Sequence, residues 1–395
     1  MKRCGIVTFG LIVLSTITTP CLARQRSIKP ERILSLRKIT KSPRWYLQQA
    51  GLWRDEVEKN SSDADAWYNY YQASRYAFRF NADGARVESL TSPEEIIGDM
   101  GRTVPDSYEY HLLQEYVCES LPDRIRALEK AAVMKPNDPR AYYSLINLYE
   151  ITRQEDKMRA YCRRLYESHD YPSALLDYNY NVLVSVEKNG ILFTNGDNDT
   201  YPVWLLQHVK DIREDVLVLN IHTAQVLSHY LKEKMEDNGI SLDMQTLNPF
   251  DVRVLIEQIQ EKAPQRNIYF CLTVYEDYYS SIRENLYCTG LVYRYSRDRL
   301  DNTAIIKKNM EGKYRLDHLY YDWYHEEEYD EGRAIVQLNA NYFAPLLILT
   351  EHYILSEERD RVEDWMRLIG RLVKTTRRSG IIDYFRDKYG FFIDR

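Results

Sequence analysis

Beyond its N-terminal leader, the 395-residue chain has no apolar stretch approaching the ~20 residues that would cross a bilayer. It also lacks a glycine-rich phosphate loop, a nucleophile–base motif and any Cys/His spacing suited to a metal site. Positive charge is not in excess. Without Lys2 and Arg3, 51 basic residues stand against 59 acidic ones, a balance of −8 that argues against a nucleic-acid partner held by phosphate neutralisation. Cysteine is scarce: four remain after the leader, Cys118, Cys162, Cys271 and Cys288. They allow three disulfide pairings or four buried thiols, and sequence does not choose among these. No tract is collagenous, low in complexity or disordered in composition. A globular chain of this length predicts roughly two or three domains.

The leader itself is a targeting segment. Lys2 and Arg3 precede an apolar run over 5–19, and Cys21-Leu22-Ala23 fits a small-residue cleavage site, so we expect export, to a periplasm, with cleavage after Ala23. Lipid anchoring through Cys21 is disfavoured by Thr18-Thr19-Pro20 directly before it. The abundant residue is tyrosine, 34 beside 6 tryptophans. Each offers a large apolar area with a polar tip, suited to helix interfaces, sugar stacking or protein contacts.

Residues 24–180 read as helical repeats. Pro105-Asp106-Ser107-Tyr108 recurs 34 positions later as Pro139-Arg140-Ala141-Tyr142, the period of tetratricopeptide helix pairs. Tyr142, Leu145 and Tyr149 take first-helix positions, and Ala131 fits the small residue closing the preceding second helix. A weaker copy surrounds Ala66-Trp67-Tyr68, with Trp45 and Trp53 on the helix before it, and 80–102 interrupts the series. Stacked pairs leave a concave surface that commonly binds peptides.

From 181 to 300 the period changes. Apolar runs at 191–194, 216–219, 268–272 and 291–295 alternate with helical patterns at 202–212, 223–237 and 250–262, which predicts a small, mostly parallel sheet covered by helices. The last run reads as an antiparallel edge. Residues 301–395 return to helix, with a pair at 338–355 and 362–373 preceded by an acidic, aromatic stretch at 320–331. The expected class is therefore α/β: N-terminal tetratricopeptide-like repeats, a small mostly parallel α/β unit and a C-terminal helical pair.

Chemistry, if present, belongs to Asn195-Gly196-Asp197-Asn198-Asp199-Thr200, because this loop and Asn220 to Thr223 both leave the carboxyl ends of neighbouring strands, where α/β sheets bind ligands. Asp197 and Asp199 could hold a divalent cation through oxygen ligands. The structural alternative makes Asp199 the N-cap of a helix carrying Pro202 in its first turn, with Asn195-Gly196 as a turn pair. Tyr201 and Trp204 would form a stacking wall for a sugar or contact the repeats. His222 would face the same crevice or serve as a cap. Tyr275, Glu276, Asp277, Tyr278 and Tyr279 would complete an aromatic, acidic rim.

Several of these blocks, taken in order, resemble a known family: Phe193 to Pro202, Val216 to Asn220, Asn267 to Thr273 and Gly290 to Arg294 are similar to the soluble C-terminal part of bacterial membrane proteins termed protein O-mannosyltransferase-like, over roughly 175–395. The resemblance implies an exported α/β unit followed by helical repeats, in an envelope context tied to glycan or surface-protein work. It does not carry over transferase activity, because the family's presumed transfer site lies in a membrane half that has no counterpart in these residues.

The leading expectation is an exported, non-catalytic binding or scaffolding protein of the cell envelope, with a protein or glycan partner. One alternative is a metal-dependent hydrolase or transferase on a glycoconjugate, with Asp197 and Asp199 as metal ligands. Another is an accessory subunit of a membrane glycosyltransferase, partnered by a membrane protein.

Overall fold

The computed structural model describes residues 29–80, 90–321, 333–378 and 380–390. The expected leader and most of the acidic 320–331 stretch lie outside them. Helices dominate, around one five-stranded sheet. Among the described residues, no helix is long and apolar enough to cross a membrane.

The chain enters through an arm at 29–42 and then forms helices Pro43–Lys59, Ala64–Arg79, Pro93–Thr103, Tyr108–Leu113, Leu121–Met134, Arg140–Ile151, Glu155–Glu167 and Ser173–Ser185. Side-chain caps fix several starts: Ser42, Asp63, Ser107 and Ser120 each accept from backbone amides of the following turn. The stretch expected to interrupt the series contains the helix Pro93–Thr103, opened by a reciprocal capping box between Ser92 and Glu95. The 34-residue step reappears as burial. Tyr108 and Tyr142 are both buried, as are Leu112 and Ile146, so positions 34 apart both face a core.

The sheet has strand order β2-β1-β3-β5-β4, with β1 Ile191–Thr194, β2 Leu217–Asn220, β3 Ile268–Cys271, β4 Leu286–Cys288 and β5 Val292–Tyr295. It is parallel across β2-β1-β3, where Leu192 is paired with both Val218 and Tyr269, and antiparallel across β3-β5-β4. The expected antiparallel edge is displaced: β5 lies inside, covered by β4, a three-residue strand too short to show a period. The expected helix at 223–237 is two, Ile221–Val226 and Ser228–Glu236. Gly239, at φ +75°, follows the end of the second. The C-terminal part holds Asn302–Gly312, Arg333–Asn339, Phe343–Leu355, Arg359–Thr376 and Gly380–Tyr389, more than the expected pair.

One cluster of buried residues runs from Tyr108 through the sheet to Phe385 and so crosses residue 180, where the helix Ser173–Ser185 continues unbroken. The cause is the helix Asp197–Lys210, which packs on both Glu155–Glu167 and Ser173–Ser185 and joins the sheet to the last repeat helices. The arm and the first three helices, with Leu113, form a second cluster.

Candidate functional site

β1 is central. The chain leaves it for β2 on one side and later returns as β3 on the other, so the loops after β1 and β3 diverge at the carboxyl edge and open a crevice between them. The helix after β1 begins at Asp197, not at 202, with Gly196 as N-cap. Asp199 is therefore not the N-cap. It sits in the first turn and reaches back, accepting from the amides of Asn195 at 2.9 Å and Gly196 at 2.7 Å. The hydroxyl of Thr273, from the loop after β3, donates to the same carboxylate. Asp199 is 2% exposed. Burial pushes its carboxyl above the ordinary carboxylate range, against the lowering effect of those three donors.

Pro202 lies within this helix and has no N–H to offer the carbonyl of Asn198 one turn earlier. Asn179 supplies the missing donor, its Nδ2 reaching the Asn198 carbonyl at 2.9 Å, and the Tyr171 hydroxyl donates to the Asp197 carbonyl at 3.1 Å. The helix Ser173–Ser185 and the turn before it thus repair the sheet helix's interrupted ladder.

On the other side of the loop, Asn220 ties the two parallel strand ends together. Its Nδ2 donates to the Asn195 carbonyl and to Thr200 Oγ1, and its Oδ1 accepts from Thr223. Thr200 is buried and shares a hydrogen bond with Thr194. His222 is exposed and meets only the Tyr278 hydroxyl, at 3.3 Å. Tyr201 and Trp204 are buried edge-to-face partners, and Tyr201 packs in the same manner on Tyr143 of the repeats. Tyr275 is 67% exposed and lines the crevice.

Asp197 is separated from Asp199 in environment. Its side chain is 53% exposed and pairs with Arg37 at 3.6 Å. Asp199 has both carboxylate oxygens occupied by protein donors. Among the described residues, no group of three or more His, Cys, Asp or Glu side chains is placed to hold a metal ion.

Arg37 was not visible as a site residue in the sequence. It belongs to the arm, and its guanidinium lies 3.5 Å from the centre of the Tyr143 ring. Burial opposes its charge, but Tyr143, Tyr171, Asp197 and Tyr201 together hold its pKa above the ordinary value. Its carbonyl accepts from Asn198 Nδ2 at 3.0 Å. Lys38 beside it pairs with Asp170, which also accepts from the Tyr143 hydroxyl.

The arm borders two sizeable spaces among the described residues. A crevice of about 530 Å³ at the carboxyl edge of the sheet is lined by Asn195, Asp197, Asn198, Thr273, Tyr275 and the arm. A larger cavity of about 1030 Å³ lies between the arm and the repeat helices, with Tyr201 and Asp197 at its sheet side. Of the residues expected at the site, the structure gathers Asn195 to Tyr201 and Asn220. It sets Trp204 in the packing against the repeats and leaves His222 outward.

Residues 175–234 match the family model described as TMEM260-associated domain 2. The match begins in the last repeat helix and takes in β1, the whole loop, β2 and most of the helix Ser228–Glu236. This segment is thus similar to the TMEM260-like family. No curated protein matches the chain.

Proposed function

We propose that this is an exported, non-catalytic binding or scaffolding protein of a bacterial cell envelope, whose tetratricopeptide-like repeats and α/β unit present one joint surface to a protein or glycan partner. The observation that carries this reading is the cavity of about 1030 Å³ built jointly by repeat helices, arm and sheet loop. Its walls combine arginine and tyrosine side chains, including Arg75, Arg140, Tyr68 and Tyr116, which suit recognition without a reacting group. The side chains at the sheet edge are spent on holding the loop, which supports a positioning role for Asp199, Thr200 and Asn220.

Kinship with the O-mannosyltransferase-like soluble domains rests on the sequence blocks, while the match over 175–234 supports similarity to the TMEM260-like family. That kinship favours a second reading, an accessory subunit of a membrane glycosyltransferase, which predicts co-purification with a multi-spanning protein.

The test is cross-linking in the native envelope from a photoreactive residue at Tyr116, on the cavity rim, with a second one at Arg102, which lines no described cavity, as control. A discrete partner captured from 116 and not from 102 is expected. Recovery of the same nonspecific proteins from both positions would overturn the binding reading.

A further inference from the structure

Seven cationic side chains line the large cavity. Four of them are matched by carboxylates: Lys38 by Asp170, Arg37 by Asp197, Arg140 by Asp138 and Glu109, and Lys135 by Glu109. The other three are Arg32, Arg75 and Arg79, none of which has a carboxylate within ion-pair distance among the described residues. Arg75 instead donates to the Tyr116 hydroxyl at 3.1 Å and lies 4.5 Å from the centre of that ring. Glu115, the remaining acid of the lining, is only partly exposed, and burial drives its carboxyl upward. Ser144, Tyr116 and the nearby positive charges of Arg75 and Arg37 oppose that rise, so Glu115 shares the field of Arg75 without forming an ion pair with it.

Arg75 and Arg79 are one turn apart on the helix Ala64–Arg79 and border the same space. Like charges at that spacing repel. The helix C-terminus offsets this for Arg79, in its last turn, but less so for Arg75 and not at all for Arg32 on the arm. In a chain with net charge −6, this cationic wall is a local feature and not a consequence of composition.

The helices that hold the arm already read peptide backbone. Gln49 accepts from the Glu31 amide at 2.7 Å, Trp53 donates to the Glu31 carbonyl at 2.8 Å, and Asn69 accepts from the Ile33 amide at 2.8 Å. One turn beyond Asn69 on the same helix, Gln72 is 8% exposed and lines the cavity. Its Nε2 donates to Tyr68, while its Oε1 is buried without a partner. That is an acceptor of the kind that already holds the arm, next to arginines with no carboxylate at ion-pair distance among the described residues.

Resting on the binding reading above, we propose that the cavity takes an extended acidic peptide of a partner protein, laid beside the arm. Its carboxylates meet Arg32, Arg75 and Arg79, and Gln72 accepts one of its backbone amides.

The probe is fluorescein-labelled hexaglutamate, with hexalysine and an oligogalacturonate of equal charge as comparisons, titrated into the mature chain 24–395 and read by anisotropy. Saturable binding of hexaglutamate but not hexalysine is expected. R75Q/R79Q should weaken it about tenfold with an unchanged unfolding midpoint, and R102Q should leave it intact. Q72L should weaken the peptide more than the oligosaccharide. No peptide binding, tighter binding of the oligogalacturonate, or affinity indifferent to R75Q/R79Q would overturn the proposal. If a partner is nevertheless captured from position 116, only the acidic-peptide assignment fails. If neither probe nor partner binds, the binding reading fails with it.

Discussion

The side-chain amide of Asn179 stands in for the backbone N–H that Pro202 lacks, donating to the Asn198 carbonyl at 2.9 Å. Asn179 is fully buried, and the same Nδ2 also donates to the Leu175 carbonyl. Asn179→Leu keeps the volume and removes the donor, so it should cost about 1–3 kcal/mol by leaving a carbonyl unsatisfied. Pro202→Ala restores an intrahelical donor to that carbonyl. In the Pro202→Ala background the Asn179→Leu penalty should therefore shrink. Urea denaturation of the four species measures the coupling, and additive effects would show that the two residues are independent.

Asp199 closes the loop through three donors, two of them backbone amides. Asn in its place offers one oxygen and turns an NH₂ toward a backbone N–H, so Asp199→Asn should lower stability by about 1–3 kcal/mol. Asp197→Asn unmakes an ion pair whose carboxylate is half-exposed but whose Arg37 is largely buried, and should cost less than the ~3–5 kcal/mol of a fully buried pair. Because Asp199 has no oxygen to spare, millimolar Mg²⁺, Mn²⁺ or Ca²⁺ should not raise the unfolding midpoint of mature 24–395. A metal-dependent rise that disappears in the double variant would restore both aspartates as ligands.

Much of this arrangement was legible because its signals are local. The runs around Phe193, Val218 and Phe270 became the three parallel strands, and the loop after the first proved to be where the sheet opens. The helix start was misplaced because Pro202 marks a first turn in sequence, whereas Gly196 and Asp199 together begin the helix earlier. The contacts that define the site are long-range. Arg37 and Asn198 are 161 positions apart, and Thr273 and Asp199 are 74 apart. No periodicity connects such residues. The arm, a short basic stretch, carries no pattern that announces how it docks.

A pH dependence follows from the turn before β2. Asp215 accepts from Arg213 at 2.8 and 2.9 Å and from the Asn189 amide at 2.8 Å, while Arg213 also donates to the Leu183, Val186 and Glu187 carbonyls. The Arg213 hydrogen bond is the main cause that holds the Asp215 carboxyl down at about 2. A folded-state pKa below the unfolded value means that the contribution is fully present above about pH 4 and is lost as pH falls toward 2. Asp215→Asn should thus be less stable than wild type at neutral pH, with the gap closing over that window. Urea midpoints at several pH values test this, and a gap constant down to pH 2 would contradict it.

The four cysteines among the described residues give the last prediction. All four are free thiols, with Cys162, Cys271 and Cys288 buried and Cys118 partly exposed. Burial raises the pKa of each buried thiol, that of Cys288 to about 11, and places those of Cys162 and Cys271 higher still. A buried thiol without access or thiolate character exchanges slowly, even in an oxidising compartment. Ellman's reagent should therefore titrate one thiol rapidly in native 24–395, and all four only after denaturation without reductant. Cys118→Ser should abolish the rapid phase. Two thiols in the denatured chain would instead mean that a disulfide forms, and would require the packing around at least one buried cysteine to differ from that described.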